Sequence, residues 1–110
     1  MSGLTDILHD FNGVRGCQKN HQEIQDLVED KWVSKYGREN VYTNIDLKEG
    51  NDTVTEIDVL ALTPYGPRVA EIKSCDGSTK ARRQARKMRK YFDDPSLNVI
   101  LVCPYGIKRI

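Results

Sequence analysis

No apolar run in the 110-residue sequence approaches the ~20 residues needed to cross a bilayer as a helix, so no membrane partner is expected. No basic start leads into an apolar stretch, so no secretory leader is expected either. The three cysteines, Cys17, Cys75 and Cys103, form no Cys-x-x-Cys pair and are odd in number. That argues against a structural zinc site and against a disulfide-stapled secreted module. Free thiols and a cytoplasmic location are the expectation, with a Cys75–Cys103 bridge as the alternative. The two histidines, His9 and His21, have no partner at a metal-binding spacing and are expected to be solvated. Linkers, repeats and low-complexity segments are missing as well. One domain over residues 1–110 is expected, with residues 1–19 as an N-terminal helical extension.

A second kind of absence is local. Between Lys80 and Lys90 there is no acidic residue, although seven of the 17 basic residues fall there. The rest of the chain holds 10 basic and 16 acidic residues, so the net charge of +1 conceals a strong asymmetry. A helix with so many like charges lacks the usual i,i+4 ion pairs and repels itself, which an anionic partner would offset. The bland reading is a solvated outer face, since Lys and Arg are good helix formers.

With 38% apolar and 30% charged residues, the composition is that of a globular protein. Leu4, Ile7, Leu8 and Phe11 fall at helical spacing and predict a short first helix. Ile24, Leu27, Val28 and Trp32 make the stripe of a second helix over residues 21–36, with Asn20 as cap and Tyr36-Gly37 as stop. Strands are expected at 41–45, 53–62, 68–73 and 98–103, and a short last one within 107–110. A basic helix over 80–92 buries Ala81, Ala85, Met88 and Phe92. The order is α-α-β-β-β-α-β(-β), a mixed α/β sheet flanked by helices.

Two strands carry charge where burial is expected. Thr55–Leu62 is apolar on both faces apart from Glu56 and Asp58. Val69–Lys73 places Glu71 and Lys73 on one face and Ala70 and Ile72 on the other. Thr63–Pro67 is turn chemistry, so the strands pair as a hairpin and can bring Asp58 near Glu71. Two close carboxylates repel, and a cation relieves this; Lys73 and a divalent metal are the two candidates. The bland reading makes Glu71 and Lys73 a solvent-facing pair worth about 0.2–1 kcal/mol.

These residues resemble the PD-(D/E)XK nuclease superfamily, with its restriction-endonuclease-like fold. The matching features are a helix with an acid, the strand Glu56-Ile57-Asp58-Val59-Leu60, a hairpin, Val69-Ala70-Glu71-Ile72-Lys73, and a helix carrying Gln84 before an apolar strand. The similarity covers roughly residues 20–103 and is nearest to small archaeal Holliday junction resolvase-like nucleases. Isoleucine, not proline, precedes Asp58. The resemblance implies a metal-dependent DNA nuclease, selective for structures such as junctions or flaps. It implies that Asp58, Glu71 and the Ile72 carbonyl hold Mg²⁺ or Mn²⁺, and that Lys73 holds the attacking water or the phosphate. Glu23 would reach the metal or its water, with a capping box on Asn20 as its bland role. Gln84 would orient Lys73 or contact the nucleic-acid backbone.

Lys80, Arg82, Arg83, Arg86, Lys87 and Lys90 are the candidate DNA contacts. They suit backbone rather than base-edge recognition. A homodimer, with the first helix as interface, suits two-fold junctions. The alternatives are a catalytically inactive nucleic-acid-binding module of the same fold within a larger complex, and an interaction domain whose basic helix binds an acidic protein.

Overall fold

The computed structural model describes residues 21–73, 78–104 and 106–110. The expected first helix, the Asn20 cap, the extension over 1–19, Cys17 and Cys75 lie outside them.

Helix α1 (His21–Tyr36) is followed by a 3-10 turn, β1 (Val41–Glu49), β2 (Asp52–Thr63), β3 (Gly66–Ile72), α2 (Ser78–Tyr91), β4 (Asn98–Cys103) and β5 (Gly106–Arg109). Gly37 ends α1 at φ 95°, where a side chain would be strained, and its N–H bonds the Val33 carbonyl at 2.9 Å. The strands lie in chain order in one five-stranded sheet. All neighbours are antiparallel except β3 and β4, which run parallel and therefore need a crossover, supplied by α2.

The helices take opposite faces. Ile24, Val28 and Trp32 of α1 pack on Val59, Ala61, Ala70, Ile72, Ile100 and Val102. Ala85 and Met88 of α2 pack with Leu47, Ile57, Val69, Leu97 and Val99. Val69 and Ala70 are chain neighbours on different faces, as the two-residue period of a strand requires. The expected mixed α/β fold, compatible with a restriction-endonuclease-like core, is what forms. Among the described residues no helix is long and apolar enough to cross a membrane.

Three details differ from the sequence pattern. β1 runs four residues past Ile45, because Leu47 still has core to cover. Phe92 lies beyond the end of α2 and is exposed; buried Leu97 fills the core instead. Gln25 is buried, while Leu27 is only partly so, which moves the inner face of α1 toward β1. Cys103 is a free thiol.

Candidate active site

β2 and β3 pair from Thr63↔Gly66 up to Val59↔Ala70, and their pairing stops there. The next β3 N–H facing β2 belongs to Ile72, and an orphaned backbone donor would be costly. Asp58 stands in for the missing ladder: its Oδ2 accepts the Ile72 N–H at 2.8 Å. The N–H and C=O of a residue in an extended strand face the same neighbour, so the Ile72 carbonyl faces this opening too. Opposite Asp58, between the paired residues Thr43 and Ile45, stands Asn44 in the left-handed region (φ 54°), which Asn tolerates better than most residues. Ile57 and Val59 on either side of Asp58 pack into different core clusters, so β2 coils at this point. Asp58 thus sits where the sheet opens.

Glu71 lies next to it and is only 1% exposed. Among the described residues its Oε1 has no hydrogen-bond partner. Burial, and then the Asp58 charge, push its pKa from 4.5 up to about 8, while the Lys73 ammonium pulls it down. Two adjoining carboxylates against one lysine leave negative charge uncompensated when both ionise. A buried carboxylate oxygen without a donor, an aspartate with its orientation set by a backbone N–H, and a backbone carbonyl suit a hard divalent cation. Asp58, Glu71 and Ile72 are the residues that could hold one. Among the described residues, no three His, Cys, Asp or Glu side chains form a ready-made ion cage.

From α1, the residue brought to Asp58 is His21. Its Nε2 lies 3.5 Å from Asp58 Oδ2, with the imidazole 45% exposed and the carboxylate 14%. Glu23 is exposed and sits two residues on, about 200° around the helix from His21. One turn beyond His21, Gln25 donates from Nε2 to Asn44 Oδ1 at 3.0 Å, while its own Oε1 has no partner. Sequence reasoning missed His21, Gln25 and Asn44. The signal for His21 was its spacing: it continues the Ile24–Gln25–Val28–Trp32 face at i−3 and i−4.

On α2, buried Ala81, Ala85 and Met88 turn every proposed DNA contact outward: Lys80, Arg82, Arg83, Arg86, Lys87 and Lys90 are all exposed. Lys80, Gln84, Lys87 and Tyr91 share one flank, which faces β1, since the Tyr91 hydroxyl donates to the Lys48 carbonyl at 3.2 Å. Gln84 is half-buried with its Oε1 unpartnered. Arg82, Arg86 and Arg89 form the other flank, beside a groove of about 330 Å³ that reaches Ile110. Arg89 is a strut: its guanidinium donates to the Leu97 carbonyl at 3.0 and 3.2 Å and to the Ile110 carbonyl at 2.7 Å.

The arrangement joins an acidic pair with a neighbouring lysine at the sheet opening to a basic helix across one face. No match was found among curated proteins. The nuclease-related domain (NERD) family matches residues 12–100, a span that includes Asp58, Glu71, Lys73 and all of α2. The chain therefore belongs to the nuclease-related domain family, within the PD-(D/E)XK type of nuclease.

Proposed function

We propose that the protein is a metal-dependent DNA endonuclease that hydrolyses phosphodiester bonds at the opening between β2 and β3. The observation that carries this is the Asp58–Glu71 pair, with a buried, unpartnered Glu71 oxygen and Lys73 close enough to lower the Glu71 pKa. Asp58, Glu71 and the Ile72 carbonyl hold Mg²⁺ or Mn²⁺. A divalent ion there supplies a water of lowered pKa and relief of the charge developing on the phosphate. The Ile72 N–H keeps the Asp58 carboxylate in place, so little reorganisation is needed when substrate arrives. Lys73 acts as a point charge on the phosphate or the attacking water. Gln84, whose Oε1 is unpartnered, orients Lys73 or meets the substrate backbone. Glu23 is left as a residue of the α1 surface near the site, with no assigned step.

The finer part of the reading is selectivity for branched DNA, a junction or a flap. An α-helix about 10–12 Å across that presents phosphate contacts on both flanks can touch two backbone strands at once. A homodimer would offer a two-fold junction two equivalent sites.

Cleavage of a four-way junction, a flap, plain duplex and single strand, with Mg²⁺ or Mn²⁺ and with EDTA, tests the proposal. Cutting that requires the metal and favours branched substrates is expected. Binding without cutting on every substrate would instead make the chain a non-catalytic nucleic-acid module. Separately, Arg83→Gln with Lys87→Gln is expected to weaken DNA binding and flatten its dependence on log salt by about two units, roughly one per lost phosphate contact. Filter binding across a salt series measures it, and an unchanged slope removes α2 from the interface.

A further inference from the structure

We infer that Asn44 and Gln25 are positioning residues for Asp58: the left-handed backbone at Asn44, locked by the Gln25 amide, swings the Asp58 carboxylate into the plane of the sheet. Its bearing on cleavage rests on the reading above, that Asp58 takes part in the chemistry. In a regular strand, residues two apart share a face. Both β1 and β2 break that rule at the same level. Val41 packs in the cluster under α1, whereas Ile45 and Leu47 pack in the cluster under α2. On the partner strand, Ala61 and Val59 belong to the α1 side and Ile57 to the α2 side. The pairs Thr43↔Val59 and Ile45↔Ile57 keep one register, so no residue is inserted and the change of face is not a bulge. It is centred on Asn44 and Asp58, and Asn44 supplies the bend with its φ of 54°.

The consequence falls on Asp58. With Ile57 and Val59 on one face, the side chain between them would stand on the other face, perpendicular to the sheet. With the faces exchanged it lies along the sheet toward β3, and its Oδ2 accepts the Ile72 N–H at 2.8 Å. Left-handed backbone costs a residue with a side chain free energy, and it persists where the surroundings hold it. Asn tolerates that conformation better than most residues, and here Gln25 holds it. The Gln25 Nε2 donates to Asn44 Oδ1 at 3.0 Å, from a side chain only 2% exposed. Ile24 and Val28, fully buried on the same face of α1, fix this part of the helix against the sheet, so the amide reaches Asn44 from a rigid base. A buried amide is costly unless bonded, and the bond to Asn44 is the use the fold makes of it.

Amide hydrogen exchange on the full chain, without metal or substrate, reads the position of Asp58 directly. The Ile72 N–H bonds Asp58, while the next N–H, that of Lys73, bonds the Val102 carbonyl of β4 at 3.0 Å. Lys73 therefore reports fraying of β3, and Ile72 reports Asp58. Asn44→Val, a β-branched residue that resists the left-handed region, is expected to speed Ile72 exchange at least about tenfold beyond any change at Lys73. Asn44→Gly, free to take a positive φ, is expected to return most of that protection. Gln25→Leu, which keeps the burial and removes the donor, is expected to speed Ile72 in the same direction. In single-turnover cleavage, Asn44→Val is expected to lower the rate by about 10²-fold with DNA affinity unchanged, and Asn44→Gly to recover most of it. Equal acceleration of Ile72 and Lys73, or equal exchange in the Val and Gly variants, overturns the inference. Should Asn44→Val fail to fold, Gln25→Leu decides: wild-type exchange at Ile72 in that variant overturns it. A wild type that cuts no substrate removes the nuclease reading alone, because the exchange pattern still decides the roles of Asn44 and Gln25.

Discussion

Glu71→Gln is expected to lower the cleavage rate by at least about 10³-fold while leaving DNA affinity unchanged or slightly higher. The amide keeps the shape of the buried side chain but removes the charge proposed to hold a hard cation. Losing the several kcal/mol of transition-state stabilisation that such an ion supplies corresponds to a factor of that order. Affinity is spared because the proposed phosphate contacts lie on the exposed faces of α2, and one fewer negative charge near the scissile phosphate does not weaken binding. Asp58→Asn is the matching variant. Asp58→Ala would be less clean, since it strips the Ile72 N–H of its acceptor at a cost of about 1–3 kcal/mol in stability. Asparagine retains an oxygen for that bond. Single-turnover cleavage and equilibrium binding on the same substrate separate the two effects. Cutting at the wild-type rate by both variants would remove these carboxylates from the chemistry.

The metal-free protein is expected to lose stability as pH rises from 5 to 9, and Glu71→Gln is expected to abolish most of that loss. Glu71 titrates near 4.5 when exposed and near 8 in the fold, held up first by burial and then by Asp58. Because the folded value is the higher one, the folded state binds more protons than the unfolded state between the two. Its contribution is therefore complete below about 4.5 and drains away as pH climbs through 8. At ~1.4 kcal/mol per unit, the gap sets a loss of roughly 4–5 kcal/mol as an upper order of magnitude. That is a large share of the ~5–15 kcal/mol typical of a domain. Trp32, the sole tryptophan and fully buried, reports unfolding in urea by its fluorescence. Mg²⁺ or Mn²⁺ should restore stability most at alkaline pH, where the acidic pair is ionised and binding to the folded state adds its own free energy. An equal pH slope in wild type and Glu71→Gln would refute the shift.

Much of this was legible before any coordinates. The period-two pattern of β2 and β3, broken by Asp58 and by Glu71 with Lys73, marked both strands and the acidic pair. Strand periodicity is a local property, and charges inside it stand out against it. The basic run marked α2, and the Ala81–Ala85–Met88 spacing set its inner face correctly. Spacing could not tell a strut from a contact: Arg89 looks like its neighbours in sequence, yet it is spent on the Leu97 and Ile110 carbonyls. Helical spacing puts Phe92 in the core only if the helix continues, and the helix stops at Tyr91.

The choice between His21 and Glu23 shows the limit most clearly. The apolar stripe Ile24, Leu27, Val28 and Trp32 ends at Leu27, about 40° from Glu23 on the helical wheel, which makes Glu23 a border residue. Gln25, a polar residue buried with its bond to Asn44, moves the inner face around the helix and brings His21 to Asp58. By itself, the sequence determined the order of the described elements, the mixed α/β fold, the acidic pair with its lysine and the outward basic face, because each follows from local periodicity and charge. Only the tertiary structure decided where β2 and β3 part, that Asp58 caps the Ile72 N–H, how far burial raises the Glu71 pKa, and which α1 residue reaches the opening. Those depend on distances between segments remote in the chain, and no single stretch encodes them.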